Sequence, residues 1–127
     1  MLRAAITHRS VLPFRYAVDD RTVRIRLKAA CGDLTGCTLL YGDKFQWSRR
    51  QKVQMRVIAS DGLHDYWQAD VVPEDRRLCY AFYLESGKEG LWFTEKGFFV
   101  THAEETHPLD YFEFPFLHHT ERIDPPA

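Results

Sequence analysis

Apolar and polar residues alternate with period two along most of this chain. Within 22–28, Val23, Ile25 and Leu27 fall on one side, and Arg24, Arg26 and Lys28 on the other. That pattern predicts a strand with one buried face and one wetted face. Val53, Met55 and Val57 alternate with Gln54 and Arg56, and Trp67, Ala69 and Val71 with Gln68 and Asp70. The run 78–84 is apolar on both sides. Cys79, Ala81 and Tyr83 share one face, and Leu78, Tyr80, Phe82 and Leu84 share the other, which suits a central strand.

Turn signals separate these runs. Asp19-Asp20, between 14–18 and 22–28, predicts a hairpin. Asp61-Gly62, between 53–59 and 63–72, is the strongest hairpin signal in the chain. Cys31-Gly32-Asp33, Tyr41-Gly42-Asp43, Ser86-Gly87-Lys88 and Glu95-Lys96-Gly97 are further breaks. No segment carries a sustained helical stripe. Residues 102–109 have room for one helical turn, and Pro108 argues against more. Short strands with turns at roughly ten-residue spacing predict an all-β antiparallel sandwich of about seven to nine strands. Residues 1–121 read as that domain. The charged, Pro-rich stretch 122–127 reads as the start of a linker to a further domain.

Composition narrows the picture. The 127 residues are 45% hydrophobic, 28% charged and 14% aromatic, which is globular and not disordered. The formal net charge of −1 gives no electrostatic reason to expect nucleic acid or an anionic membrane. No apolar run is long enough to span a bilayer. The opening Met-Leu-Arg-Ala-Ala-Ile-Thr-His-Arg has too short an apolar stretch for a signal peptide, so a cytoplasmic location is expected. Cys31, Cys37 and Cys79 are odd in number and lack metal-type spacing, so they read as reduced, small buried hydrophobes.

Little in the chain points to autonomous catalysis. The acidic residues Asp19, Asp20, Asp33, Asp43, Asp61 and Asp75 sit at turns, where they shape the backbone and keep it soluble. Two carboxyls about 5–10 Å apart across a sugar cleft would be needed for glycoside hydrolysis, and a small sandwich rarely builds so deep a cleft. There is no Gly-x-Ser-x-Gly elbow and no phosphate loop. No catalytic residue is assigned. The six histidines offer no helical His-x-x-x-His pair. His118 and His119 are adjacent and would face apart in a strand, while His102 and His107 flank Glu104-Glu105 in a loop. No metal site and no cofactor are assigned.

Sugar binding is the sharper reading. Glucose has an apolar face that an aromatic ring can stack on, and a polar rim for amides, carboxylates and guanidiniums. The segment Leu39-Leu40-Tyr41-Gly42-Asp43-Lys44-Phe45-Gln46-Trp47 sets large aromatics among polar residues after a strand end. Tyr41, Asp43, Phe45 and Trp47 are the candidate substrate-binding residues. Phe45 either meets a partner or folds back as a lid; for Trp47 packing is the preferred alternative. Trp67 reads as core. Only one of Trp92 and Phe93 can face inward, and the same holds for Phe98 and Phe99. Phe112, Phe114 and Phe116 read as core, which leaves Tyr111, Glu113 and Pro115 for solvent, a catalytic domain or another subunit. So much aromatic surface marks an interface.

Seven segments, in order, resemble one family. They are Ala4-Ala5-Ile6-Thr7-His8-Arg9, Phe14–Ala17 with Thr22–Ala29, Leu39–Phe45, Asp65-Tyr66-Trp67-Gln68-Ala69, Thr94-Glu95-Lys96-Gly97-Phe98, Phe114-Pro115-Phe116-Leu117-His118, and the Pro-Pro of the tail. The chain is similar to the N-terminal β-sandwich of neopullulanases, cyclomaltodextrinases and maltogenic amylases. That resemblance implies an immunoglobulin-like sandwich of starch-binding type at the front of an α-amylase-superfamily hydrolase. The catalytic acids would lie in a later barrel, so the fragment alone should hydrolyse nothing. The resemblance implies two partners, its own barrel and a second subunit. It would narrow that subunit's cleft in favour of cyclodextrins and short maltodextrins. The loop aromatic that reaches substrate in some members matches Phe45, which lacks the tyrosine hydroxyl of the family pattern. Some relatives hold calcium, and Asp19-Asp20 or Asp33 could contribute, although no spacing requires it. Two alternatives stand beside this reading: an autonomous α-glucan-binding module, and a purely structural immunoglobulin-like domain.

Overall fold

A computed structural model describes residues 1–43, 46–73, 77–100 and 111–115. Among the described residues, ten strands form two antiparallel sheets. The first sheet has the order β1-β2-β6-β5, from Arg15–Ala17, Val23–Ala30, His64–Val71 and Arg56–Ser60. The second runs β4-β3-β7-β8-β9, from Gln51–Gln54, Gly36–Asp43, Arg77–Ser86, Glu89–Thr94 and Gly97–Phe99. Strand β10, Phe112–Pro115, pairs with the Arg77–Tyr80 end of β7, while β8 pairs with its Phe82–Ser86 end. Strand β7 is thus central, with β3 alongside it from Leu78 to Glu85. Both predicted hairpins form. The Asp61 carboxylate accepts from the amides of Leu63 and His64 at 2.9 and 2.7 Å, and Gly62 adopts φ +88° between the strands.

The core lies between the sheets. Val23, Ile25 and Leu27 of β2 are 0% exposed and meet Leu39, Tyr80, Phe82 and Leu84 from the other sheet. Trp67 is core, as its alternating strand predicts. Burying each large apolar side chain of this kind contributes roughly 1.5–3 kcal/mol. Of the cysteines, Cys37 and Cys79 are buried and Cys31 is exposed. Cys31 departs from the expectation because it opens the turn after β2 rather than sitting in a strand.

The run 53–59 departs from its alternation. It is two strands in different sheets. Strand β4 pairs with β3, and β5 pairs with β6. Met55 makes the crossing: its amide donates to the Cys37 carbonyl at 2.8 Å, and its side chain is buried at 4% exposure. An irregularity between Val57 and Ala59 then breaks the phase, and Val57 and Ile58 end up exposed. This crossing is one reason the strand count exceeds the expected range.

Candidate functional site

Strand β3 and the loop after it organise the candidate site. Alternation along β3 sends Cys37, Leu39 and Tyr41 toward the main core and Leu40 to the opposite face. Tyr41 is half-buried, and its hydroxyl donates to Gln51 Oε1 across the β3–β4 pair at 3.0 Å. Gly42 and Asp43, predicted as a turn, are still in the strand, opposite Cys79 and Leu78. The chain turns only afterwards. The Gln46 amide donates to the Asp43 carbonyl at 3.1 Å, and a 3-10 turn spans Trp47–Arg49. Phe45, the central candidate, and its neighbour Lys44 lie outside the described residues, as do His102, His107, His118, His119 and Phe116.

Trp47 is 7% exposed. Its ring meets Tyr111 edge-on at 5.1 Å, over Leu40, Cys79 and Ala81. Packing therefore wins at Trp47. Its ring anchors the loop and leaves little open face for a sugar. Gly42 permits the closure. A Cβ there would lie 3.0 Å from Arg50 Cα and 3.2 Å from the Trp47 ring, so the turn rests directly on the glycine backbone. The same closure corrects the reading of Tyr111. At 1% exposure it is not free for a partner, because the Trp47 turn covers it. Glu113 is exposed, as expected.

A second cluster of polar groups lies inside the sandwich. His8 is 4% exposed, with Nδ1 2.6 Å from the Arg26 carbonyl and Nε2 2.7 Å from the Tyr80 hydroxyl. A carbonyl only accepts, so Nδ1 carries the proton and Nε2 accepts from Tyr80. Burial lowers the His8 pKa to about 3, opposed by the Arg26 bond, and the Arg15 charge lowers it further. Burial likewise raises the Tyr80 hydroxyl. Ser10 extends the cluster: its hydroxyl donates to the Glu113 carbonyl at 2.5 Å and accepts from Arg15 Nε at 3.1 Å. Arg15 also stacks over the Phe114 ring at 3.8 Å. These contacts fasten residues 8–15 to β7 and β10. Both His8 ring nitrogens and the Tyr80 hydroxyl are engaged by neighbours, so the geometry is structural.

Residues 1–118 match the family described as alpha amylase, N-terminal ig-like domain. The chain belongs to that family. This ig-like domain is 42% identical to a cyclomaltodextrinase of Geobacillus thermopakistaniensis (strain MAS1), with 99% of this chain and 22% of that protein aligned. It is 34% identical to an intracellular maltogenic amylase of Bacillus subtilis (strain 168), covering 97% of this chain and 22% of the relative. A solved cyclomaltodextrinase superposes with a TM-score of 0.86 at 37% identity, over 91% of this chain and 20% of that one. The chain thus spans 22% of the length of these curated relatives.

Within the ig-like domain, sequence reasoning passed over one arrangement. Tyr83 and Trp92 are paired in register on the outer face of β7 and β8, with ring centroids 5.0 Å apart. The alternation of 78–84 put Tyr83 on one face with Cys79 and Ala81, without saying which face meets the core. What it lacked was the partner strand that sets Trp92 beside it. Among the described residues, no three His, Cys, Asp or Glu side chains are grouped to hold a metal ion.

Proposed function

We propose that this domain is a non-catalytic front domain of an α-glucan hydrolase acting on cyclodextrins, maltodextrins or pullulan. It contributes to dimerisation and lines the partner subunit's substrate cleft through the β3–β4 loop. Tyr41 and Asp43 hold one end of that loop, and Trp47 fixes the other against the sheet. Phe45 is assigned the sugar contact. The observation that carries this reading is the Trp47 anchor: the buried indole against Tyr111 fastens the far end of the loop to the sheet. The names of the relatives supply the substrate class, since they are cyclomaltodextrinases and a maltogenic amylase.

The test is Phe45→Ala in the full enzyme that carries this domain ahead of its barrel. Cyclodextrin kcat/KM should fall by roughly tenfold, which is about 1.4 kcal/mol of transition-state binding, with little change in melting temperature. Unchanged kinetics would remove the loop from the cleft. A second reading, that the domain also grips α-glucan itself, is favoured by the outer-face aromatic pair.

A further inference from the structure

Strand β6 is longer than the pairing on one of its sides. Its β2 side is paired without a break from His64 to Val71. Its β5 side is paired only from Asp65 to Gln68, because β5 starts at Arg56, opposite Gln68. Residues 54 and 55, which would continue that line, stay with the other sheet. Gln54 pairs with Thr38, and the Met55 amide bonds the Cys37 carbonyl. The change of sheet therefore leaves a notch beside Ala69, Asp70 and Val71. A cavity of about 340 Å³ lies there, with Val53, Gln54, Arg56, Ile58, Ala69 and Asp70 in its wall. Ligand pockets span roughly 300–1,000 Å³, so the notch has room for a small segment.

The register says which backbone groups face the notch. In an antiparallel ladder each residue aims its N–H and C=O at one neighbouring strand, and successive residues alternate sides. Lys28 exchanges both bonds with Thr7, and the Arg26 amide donates to the Phe14 carbonyl, so the even positions of β2 turn away from β6. Val23 and Ile25 then turn toward Val71 and Ala69, their partners in register. Asp70, between those two, aims its amide and carbonyl at the notch, where no strand is paired with it among the described residues. Its carboxylate is already held by two bonds from Arg24. Arg56 closes the end of the notch. It is exposed, and its guanidinium has no hydrogen bond or ion pair among the described residues.

We propose that the notch captures the free C-terminal end of an extended peptide, adding it to β6 as a short antiparallel strand. Strand direction decides which terminus enters. A segment antiparallel to β6 runs the way β5 does, so it enters beside Val71 and finishes against Arg56. The start of β5 blocks its path there, and a chain that ends needs no turn. Its terminal carboxylate meets the Arg56 guanidinium. The penultimate residue lies opposite Asp70 and exchanges both backbone bonds with it. The last residue and the third from the end lie opposite Ala69 and Val71 and turn inward with them, so apolar side chains fit at both. Charge favours an anionic end: Arg24 neutralises the one carboxylate in the wall, and Arg56 is left over. The site is separate from the β3–β4 loop and rests on no sugar chemistry.

The experiment is an NMR titration of the chain with the hexapeptide acetyl-Gly-Ser-Gly-Val-Thr-Val carrying a free C-terminus, and with the same peptide amidated. The free acid should shift the amides of Arg56, Ala69, Asp70 and Val71 saturably and slow hydrogen exchange at the Asp70 amide. The amidated peptide should bind at least tenfold more weakly. Arg56→Gln should weaken the free acid at least tenfold, to the level of the amide, with circular dichroism unchanged. No saturable shift along 69–71 in the folded wild-type chain, or shifts confined to other strands, would overturn the notch as a peptide site. Equal binding of acid and amide, or full binding by Arg56→Gln, would overturn capture of a C-terminus.

Discussion

The four-stranded sheet turns a charged ladder to solvent, whereas the six-stranded sheet carries a second apolar layer on its outside. On the first, Arg24 makes two bonds to Asp70 at 2.9 and 3.0 Å, and Arg26 donates to Gln68 at 2.8 Å. The guanidiniums of Arg24 and Arg26 also approach the Tyr16 ring. These groups satisfy one another across strands, and the face needs no cover. On the second, Leu40, Cys79 and Ala81 replace the polar positions, and Trp47 and Tyr111 cap them. Beyond the cap, Tyr83 and Trp92 lie half-buried. Apolar outer surface on a small sandwich is the kind that marks interaction sites. The difference sets a solvated face against one that keeps an apolar layer outside the main core.

Removing the cap should break the comparison most severely. Trp47→Ala would uncover Leu40 and Tyr111 and cost about 3–5 kcal/mol, read by urea unfolding. A loss under about 1 kcal/mol would mean that the outer layer is not a second core. Acid should come next, through the inner face. The unfolded His8 pKa near 6.5 lies above the folded value of about 3, so the unfolded state takes up the proton first. The His8 contribution is complete above pH 6.5 and falls away as pH drops toward 3, by about 1.4 kcal/mol per pH unit. His8→Gln should be less stable at pH 7 and show a flatter profile across that window; parallel profiles would contradict the burial argument. The charged ladder should matter least. The Arg24 and Asp70 side chains are 30% and 40% exposed, and Asp70→Asn should cost under about 1 kcal/mol in the same unfolding assay.

The contrast between the two faces was partly written in the strands themselves. Strand β2 alternates without a fault, and its wet face follows from Arg24, Arg26 and Lys28 alone. Strand β7 breaks alternation with Cys79 and Ala81, which marks an outer face needing cover but does not say what covers it. Trp47 and Tyr111 are far from β7 in the chain, and only tertiary closure over Gly42 brings them there. For that reason Tyr111 read as available when it is buried. The crossing at Met55 was equally hidden. Val53, Met55 and Val57 keep the period of a single strand, and the change of sheet depends on which neighbour each half finds. In the candidate site, the sequence marked the loop and favoured packing at Trp47. The Tyr83–Trp92 pair needed the β7–β8 register before it could be seen.

The central claim is that the two outer faces differ in purpose, one solvated and one reserved for a glucan or a partner. An amide and side-chain NMR shift map during maltoheptaose titration tests it directly. The account predicts movement at Tyr83 and the Trp92 indole, with Arg24, Arg26, Lys28 and Asp70 unmoved. Shifts confined to the charged ladder, or none anywhere at saturating sugar, would contradict it.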